Sequence, residues 1–179
     1  MVSSTTDGSW NFLDATQGLL LKSVIDGAIS YTSTFFHPDG LIIGTGTGHG
    51  ALKIWVVREQ KHVTDLLVDD HNKSSVKSVC FSENGYLSAA GYSNGEVKIW
   101  DLRKLSCVKS FQRKLFVILE KLYLSLVFSI LVGSSPINAV SFDYSGVYLA
   151  IGGGGEYGGQ LQVKVVKDWS TLTVRDCYE

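Results

Sequence analysis

The side chains best suited to acid–base or metal chemistry in this 179-residue chain are its four histidines, His37, His49, His62 and His71. A protein zinc site draws several histidines or cysteines from short, regular spacings, such as two histidines separated by one or three residues. No two of these histidines have that spacing. We therefore expect structural or surface roles for them and no metal site.

Glycine-rich and nucleophilic motifs also fail to indicate catalysis. The run 152–155, followed closely by the pair 158–159, could be taken for a phosphate-binding loop, but neither a Lys-Ser or Lys-Thr pair nor a helix start follows it. A glycine-rich hairpin is the expectation there. The chain contains no Gly-x-Ser-x-Gly nucleophile elbow. The sequence thus indicates no cofactor and no enzyme active site.

The cysteines and the charge balance narrow the remaining classes of protein. Cys80, Cys107 and Cys177 are odd in number and far apart, which fits neither a disulfide framework nor a zinc pattern. We expect reduced thiols in an intracellular protein. Sixteen basic and seventeen acidic residues give a net charge of −1, and no block of like charge stands out. No direct nucleic-acid partner is expected from that distribution.

An internal repeat organises the chain. A phenylalanine followed by a polar turn and a glycine occurs at 36–40, 81–85 and 142–146, and an apolar strand follows each time. Gly40 and Gly85 lie 45 residues apart, and so do Trp55 and Trp100. A repeat of about 40–45 residues that ends on tryptophan is typical of a WD-repeat β-propeller, in which each blade has four strands.

The repeat predicts an all-β fold, a partial WD-repeat β-propeller with about 3.5 four-stranded blades. The end of one blade and two full blades are predicted in 1–111, an apolar insertion in 112–135, and a further blade in 136–179. Within the first blade, Leu13 is predicted at the tryptophan position, and Trp10 at the position of Val97.

Blade strands should be apolar on both faces, because each blade packs between two neighbours. Strand alternation then directs Val97, Ile99 and Asp101 to one side of blade three. Their neighbours Lys98, Trp100 and Leu102 should point to the other side.

The segment 112–135 interrupts the repeat, since Gly85 and Gly146 are 61 residues apart. Its apolar centre, 115–132, approaches the length of a membrane span, but Glu120 and Lys121 lie inside it. Three interpretations stay open: a translated intron or gene-model error, a partner-binding helix or strand pair, and a membrane span. The first is favoured because the other connections between blades contain no counterpart of this segment. No membrane association is expected.

Asp69, Asp70 and His71 could be taken for a catalytic dyad. His71 also lies 29 residues before Trp100, where a propeller blade places a histidine between the outer strand of one blade and the inner strand of the next. A structural role for His71 is therefore preferred. The structural WD-repeat residues predicted from this pattern are Trp55, His71, Trp100 and Asp101.

The runs FHPDGLIIGTGTGHGALKIWVV, FSENGYLSAAGYSNGEVKIWDLRKL and VSFDYSGVYLAIGG resemble the WD-repeat domain of the pre-mRNA-processing factor 19 family, in a plant-like version. The resemblance covers about 1–111 and 136–176. It implies a nuclear scaffold for pre-mRNA splicing and DNA repair, in a protein that also carries a U-box with ubiquitin-ligase activity and a coiled coil. This sequence shows neither a U-box nor a heptad segment, so no ubiquitin transfer is expected of it.

The chain departs from the hydrogen-bond network of histidine, serine or threonine, aspartate and tryptophan that the family pattern implies. Blade three has Tyr92 and Asn94 at the Ser/Thr and Asp positions. Blade two has Thr47 at the Ser/Thr position, but His49 and Ala28 at the Asp and His positions. Blade four has no tryptophan near 163–164. Each blade is therefore expected to depend on apolar stacking.

Two functions follow as expectations. The first is a protein-interaction scaffold that holds splicing-complex components or ubiquitination substrates. The second is a non-functional or regulatory truncated product that cannot close the propeller and associates with itself through uncovered blade faces. Loops at one face of blade three are the expected partner contacts, through Asn72, Lys73, Ser74, Tyr92, Ser93 and Asn94.

Overall fold

The computed structural model describes residues 2–26, 30–67, 74–112, 116–118, 129–131, 135–155 and 158–177. Over these ranges the regular structure consists of β-strands. Four antiparallel sheets follow one another along the chain, and in each the strands are hydrogen-bonded in sequence order. This arrangement confirms the predicted all-β class and its succession of blades.

The first sheet has three strands, β1 (Val2–Ser4), β2 (Ser9–Leu13) and β3 (Leu20–Ile25). The second has four, β4 (Tyr31–Phe36), β5 (Ile42–Thr47), β6 (Leu52–Val56) and β7 (Lys61–Leu66). The third contains β8 (Val76–Phe81), β9 (Leu87–Tyr92), β10 (Glu96–Asp101) and β11 (Ser106–Gln112). A short pair, β12 (Phe116–Ile118) and β13 (Ser129–Leu131), precedes the fourth sheet. That sheet contains β14 (Ile137–Phe142), β15 (Tyr148–Gly155), β16 (Gly158–Val165) and β17 (Thr171–Cys177).

The sheets stack through their innermost strands, because β1 contacts β4, β4 contacts β8, and β8 contacts β14. Three apolar layers separate the four sheets. The first layer, between sheets one and two, is built from Trp10, Tyr31, Ile43 and Trp55. The second layer contains Leu52, Ile54, Leu66, Val76, Val79, Phe81, Ala90, Tyr92 and Trp100. The third layer contains Cys80, Ala89, Val97, Ile99, Ile137, Val140, Leu149 and Ile151.

Strand β10 shows why a blade strand is apolar on both faces. All six of its residues are buried. Trp100 packs in the second layer, whereas Val97 and Ile99 pack in the third. The predicted alternation along β10 is confirmed for these three side chains, and burial on both faces follows from the sheet's place between two others.

A β-bulge marks the tryptophan position in every sheet. The register between the third and fourth strands shifts at Trp55 in sheet two and at Trp100 in sheet three. In sheet one the shift lies between its last two strands, β2 and β3, and comes at Leu13, and in sheet four it comes at Lys164. The register therefore places Leu13 at the tryptophan position, as predicted. In the fourth blade that position holds Lys164.

Of the predicted insertion, the structure describes the strand pair, in which Phe116 pairs with Leu131 and Ile118 with Ser129. Residues 113–115, 119–128 and 132–134 lie outside the described ranges, and the division of the chain at 111 and 136 stays a prediction. In the described parts of the chain, no helix is long and apolar enough to cross a membrane.

Candidate interaction surface

Two kinds of loop meet at one face of the sheets. In sheet two the amide of Gly48, in the turn between the second and third strands, donates to the Ser30 carbonyl at 2.8 Å. In sheet three the amide of Ser93 donates to the Ser75 carbonyl at 2.9 Å. Each bond joins the turn to the residues that lead into the innermost strand. In each of these two blades, the described parts of the two loop types expected to bind partners therefore lie side by side and form one surface.

Three of the predicted contact residues lie partly exposed on this surface, namely Ser74, Ser93 and Asn94. The Asn94 side chain accepts a hydrogen bond from the Glu96 amide at 3.1 Å, and its carbonyl accepts one from the Gln112 side-chain amide at 2.8 Å. Asn94 is thus held in one orientation by its own turn and by the end of β11.

Of the remaining predicted contacts, the structure describes Tyr92. Asn72, Lys73 and the structural residue His71 lie outside the described residues. Tyr92 is only 3% exposed, because its ring fills the second layer, with the Lys98 ammonium 5.1 Å from the ring centroid. Its side chain is therefore a packing group between two blades, and its contact with a partner stays a prediction.

The blade-two tryptophan is held by a different threonine from the one expected. Trp55 Nε1 donates to Thr45 Oγ1 at 2.9 Å, and both residues are buried. Thr47 Oγ1 instead bonds the backbone of Ala51 within its turn. The register pairs Ile43 with Trp55 and Thr45 with Lys53, so Thr45 is the threonine beside the tryptophan on the same face.

Asp101 follows its tryptophan and closes the turn after β10. Its carboxylate accepts the Arg103 amide at 2.9 Å and pairs with the Arg103 guanidinium at 3.0 Å. Hydrogen bonds from the Arg103 side chain, with further bonds from backbone amides, lower the pKa of Asp101 to about 2. The aspartate of the Trp-Asp pair thus acts as a fixed anion that caps a turn.

A buried lysine that the sequence did not single out ties sheets one and two together. Lys53 is 7% exposed, and its ammonium lies 2.9 Å from Asp26 and 3.6 Å from Asp65. Tyr31 donates a hydrogen bond to the same Asp26 carboxylate at 2.8 Å. Burial works to raise the pKa of Asp26, but the bonds from Lys53 and Tyr31 outweigh it and the net shift is downward. A signal existed, since the runs LKIW and VKIW place a lysine two residues before both Trp55 and Trp100.

Sheets three and four enclose a cleft of about 300 Å³. Its lining residues come from both sheets and are Val97, Ser110, Phe111, Gln112, Ile151, Gln162 and Lys164. Lys164 Nζ lies 4.8 Å from the centroid of the Phe111 ring and donates to Thr171 Oγ1 at 2.6 Å. Desolvation, and to a smaller extent the charge of Lys109, lower the pKa of Lys164.

Metal-binding clusters are missing from the part of the chain that the structure describes. No group of three or more His, Cys, Asp or Glu side chains there could hold a metal ion. Burial raises the pKa of the Cys80 thiol to about 12, which keeps that thiol protonated and unreactive. The described surface offers hydrogen-bonding loops and a polar cleft.

Comparison with known proteins agrees with this geometry. A family model described as the anaphase-promoting complex subunit 4 WD40 domain matches residues 48–121. Pre-mRNA-processing factor 19 homolog 2 of Arabidopsis thaliana is 40% identical over 152 residues, which is 84% of this chain and 24% of that protein. The chain is a WD-repeat protein similar to pre-mRNA-processing factor 19.

Further relatives carry the same name. Pre-mRNA-processing factor 19 of Oryza sativa subsp. japonica is 39% identical over 85% of the chain and 25% of that protein. The protein of Homo sapiens is 36% identical over 94% of the chain and 29% of that protein. The chain therefore spans about a quarter of the length of these relatives. A WD40 domain is a non-catalytic propeller that binds other proteins.

Proposed function

We propose that the chain is a nuclear scaffold that holds protein components of a pre-mRNA-splicing assembly. The observation that carries the proposal is the stack of WD-repeat sheets with paired loops along one face, in a chain similar to pre-mRNA-processing factor 19. We infer the process, pre-mRNA splicing, from the names of these relatives. We infer the mode of action, binding between proteins, from the propeller fold.

Two finer roles belong to the same proposal. The assembly that the chain joins is a ubiquitin ligase, and the chain presents substrates to it without transferring ubiquitin itself. The assembly also acts in DNA repair. Both roles rest on the resemblance to the family.

Affinity capture tests the scaffold directly. The tagged 179-residue chain is incubated with nuclease-treated nuclear extract, and the bound proteins are identified by mass spectrometry. Splicing proteins should be enriched over a matched Gly91→Trp variant. In that variant the indole cannot fit, since a Cβ on Gly91 would already lie 2.5 Å from Ile137 Cγ2. Equal recovery with the variant, or recovery of chaperones alone, would refute the proposal. Sedimentation of the same sample tests the expected self-association.

A further inference from the structure

The cleft between sheets three and four exists because two aromatic rings of the preceding layer are replaced. In the second layer Tyr92 and Trp100 fill the space between blades. Tyr92 pairs with Val76 and, at the same register position of the fourth sheet, Gly153 pairs with Ile137. The bulge places Lys164 where sheet three has Trp100. A glycine and a lysine thus stand in place of two large rings.

The walls of the cleft combine apolar carbon with a cation. Val97, Phe111 and Ile151 supply the apolar walls, while Lys164 and the side-chain amide of Gln162 supply polar atoms. An ammonium has three N–H donors, of which Thr171 accepts one. Removal of water from around Lys164, and the nearby charge of Lys109, disfavour its cationic form. A carboxylate in the cleft would relieve both effects.

The carboxylate of Glu96, which is bonded to the lining residue Ser110, is already engaged. Glu96 accepts a hydrogen bond from Ser110 at 2.7 Å, and its other oxygen lies 3.5 Å from the Lys98 ammonium. The Gln112 amide at the cleft is in turn bonded to the Asn94 carbonyl at 2.8 Å. The cleft is therefore continuous with the loop surface that carries the proposed function.

We infer that this cleft binds the carboxylate side chain of an acidic segment of a protein partner, with Lys164 as the cation that pairs with it. The inference rests on the proposed function in that the occupant is a protein. The apolar walls suit an aliphatic side chain next to the carboxylate. A charge-assisted hydrogen bond in a partly dry cleft is stronger than the same contact on an open surface.

A peptide fits this site better than a nucleic acid does. The Phe111 ring already contacts the Lys164 ammonium and lies 5.6 Å from the Trp169 ring, so it is not presented as a platform for stacking bases. The net charge of −1 also gives no electrostatic footprint for a phosphate backbone.

Fluorescence anisotropy with a labelled octapeptide of alternating glutamate and leucine tests the inference on the full chain. The control peptide has glutamine in place of every glutamate. We expect the acidic peptide to bind roughly ten-fold tighter, the factor that one charge-assisted hydrogen bond supplies. Lys164→Gln should remove that preference and Lys164→Arg should keep it. Lys167→Gln should leave it unchanged, since Lys167 is an exposed lysine in the adjoining turn.

A second variant tests the cleft independently, in case Lys164→Gln does not fold. Gln162→Glu places a like charge in the cleft and should weaken binding of the acidic peptide several-fold. The inference would be overturned if Lys164→Gln and Lys167→Gln changed binding of the acidic peptide equally. It would also be overturned if a uridine octanucleotide displaced the peptide from Lys164. Splicing proteins captured equally by wild type and Lys164→Gln would overturn the cleft assignment and leave the scaffold standing. Peptide binding without capture of splicing proteins would overturn the scaffold and leave the cleft assignment standing.

Discussion

The stacking of blades predicts that replacing one glycine by alanine destabilises the fold, whereas the same replacement at its counterpart one blade later does not. Gly91 in β9 faces the first strand of the fourth sheet, and a Cβ built on it would lie 2.5 Å from Ile137 Cγ2 and 3.2 Å from Val140 Cγ1. Gly152 holds the same register position in β15, where the nearest atoms to a Cβ are 3.9 Å away, in Ala139. Neither glycine has a positive φ.

The size of the effect follows from these distances. Carbon atoms pack best at about 3.5–4.0 Å, so Ile137 must move by roughly 1 Å to admit a methyl group at Gly91. Overpacking of this kind costs about 1–3 kcal/mol. Replacing glycine by alanine also stabilises the folded state by about 0.4–1 kcal/mol, because it lowers the conformational entropy of the unfolded chain. This gain is common to Gly91→Ala and Gly152→Ala. The difference between the two variants should therefore be about 1–3 kcal/mol.

Urea unfolding followed by tryptophan fluorescence measures that difference. With a slope of about 2 kcal/mol per molar urea, the midpoint of Gly91→Ala should lie roughly 0.5–1.5 M below that of Gly152→Ala. In an Ile137→Ala background the difference should shrink, because the clashing methyl group is gone. Equal midpoints for the two alanine variants, or a lower midpoint for Gly152→Ala, would show that the sheets do not stack at the distances described.

Three further predictions concern packing and charge. Thr45→Val should lower the free energy of unfolding by about 1–3 kcal/mol in denaturant titrations, because the buried Trp55 N–H loses its acceptor. Tyr92→Ala should lower it by about 3–5 kcal/mol, as truncation of a buried aromatic ring does, and a smaller loss would place this ring at the surface. The pKa of Asp101 is lowered on folding, so ionised Asp101 stabilises the fold. This stabilisation is complete above the unfolded pKa near 4 and is lost as the pH falls towards about 2. Asp101→Asn should therefore reduce the loss of stability on acidification to that range, and an unchanged acid profile would contradict the pairing with Arg103.

The fold could be read from the sequence because its determinants are local and repeated. The turns at Gly40, Gly85 and Gly146 all have positive φ, near 70°, which glycine adopts without steric cost. They fix the start of each second strand. In the second to fourth sheets, the second strand begins two residues after this glycine. Leu13 could be placed at the tryptophan position without a tryptophan to mark it, because residues 7–14 align with 94–101 and bring Asp14 onto Asp101.

The site depended on relations between blades, which a repeat alignment does not contain. Tyr92 lies at the end of a strand beside a polar turn, and nothing in its neighbours along the chain shows that its ring faces the second sheet. Thr45 and Thr47 are both candidates for Trp55 until the register is known. Lys53 acquires its role from Asp26, which belongs to the preceding blade. The missing tryptophan near Lys164 was visible in the sequence, but the cleft that results also needs Gly153.

Cross-linking of the tagged chain in intact nuclei, with a cleavable lysine-reactive reagent and mass spectrometry, tests the scaffold most directly. Lys109 lies on β11 close enough to Lys164 to lower its pKa, and it should be joined to splicing proteins. Lys167, in the turn that directly follows β16, is the internal comparison and should yield few such cross-links. Cross-links to splicing proteins at Lys109 that disappear in the Gly91→Trp variant are the predicted result. Cross-links confined to chaperones, or unchanged in that variant, would contradict the account of this chain as a WD-repeat scaffold.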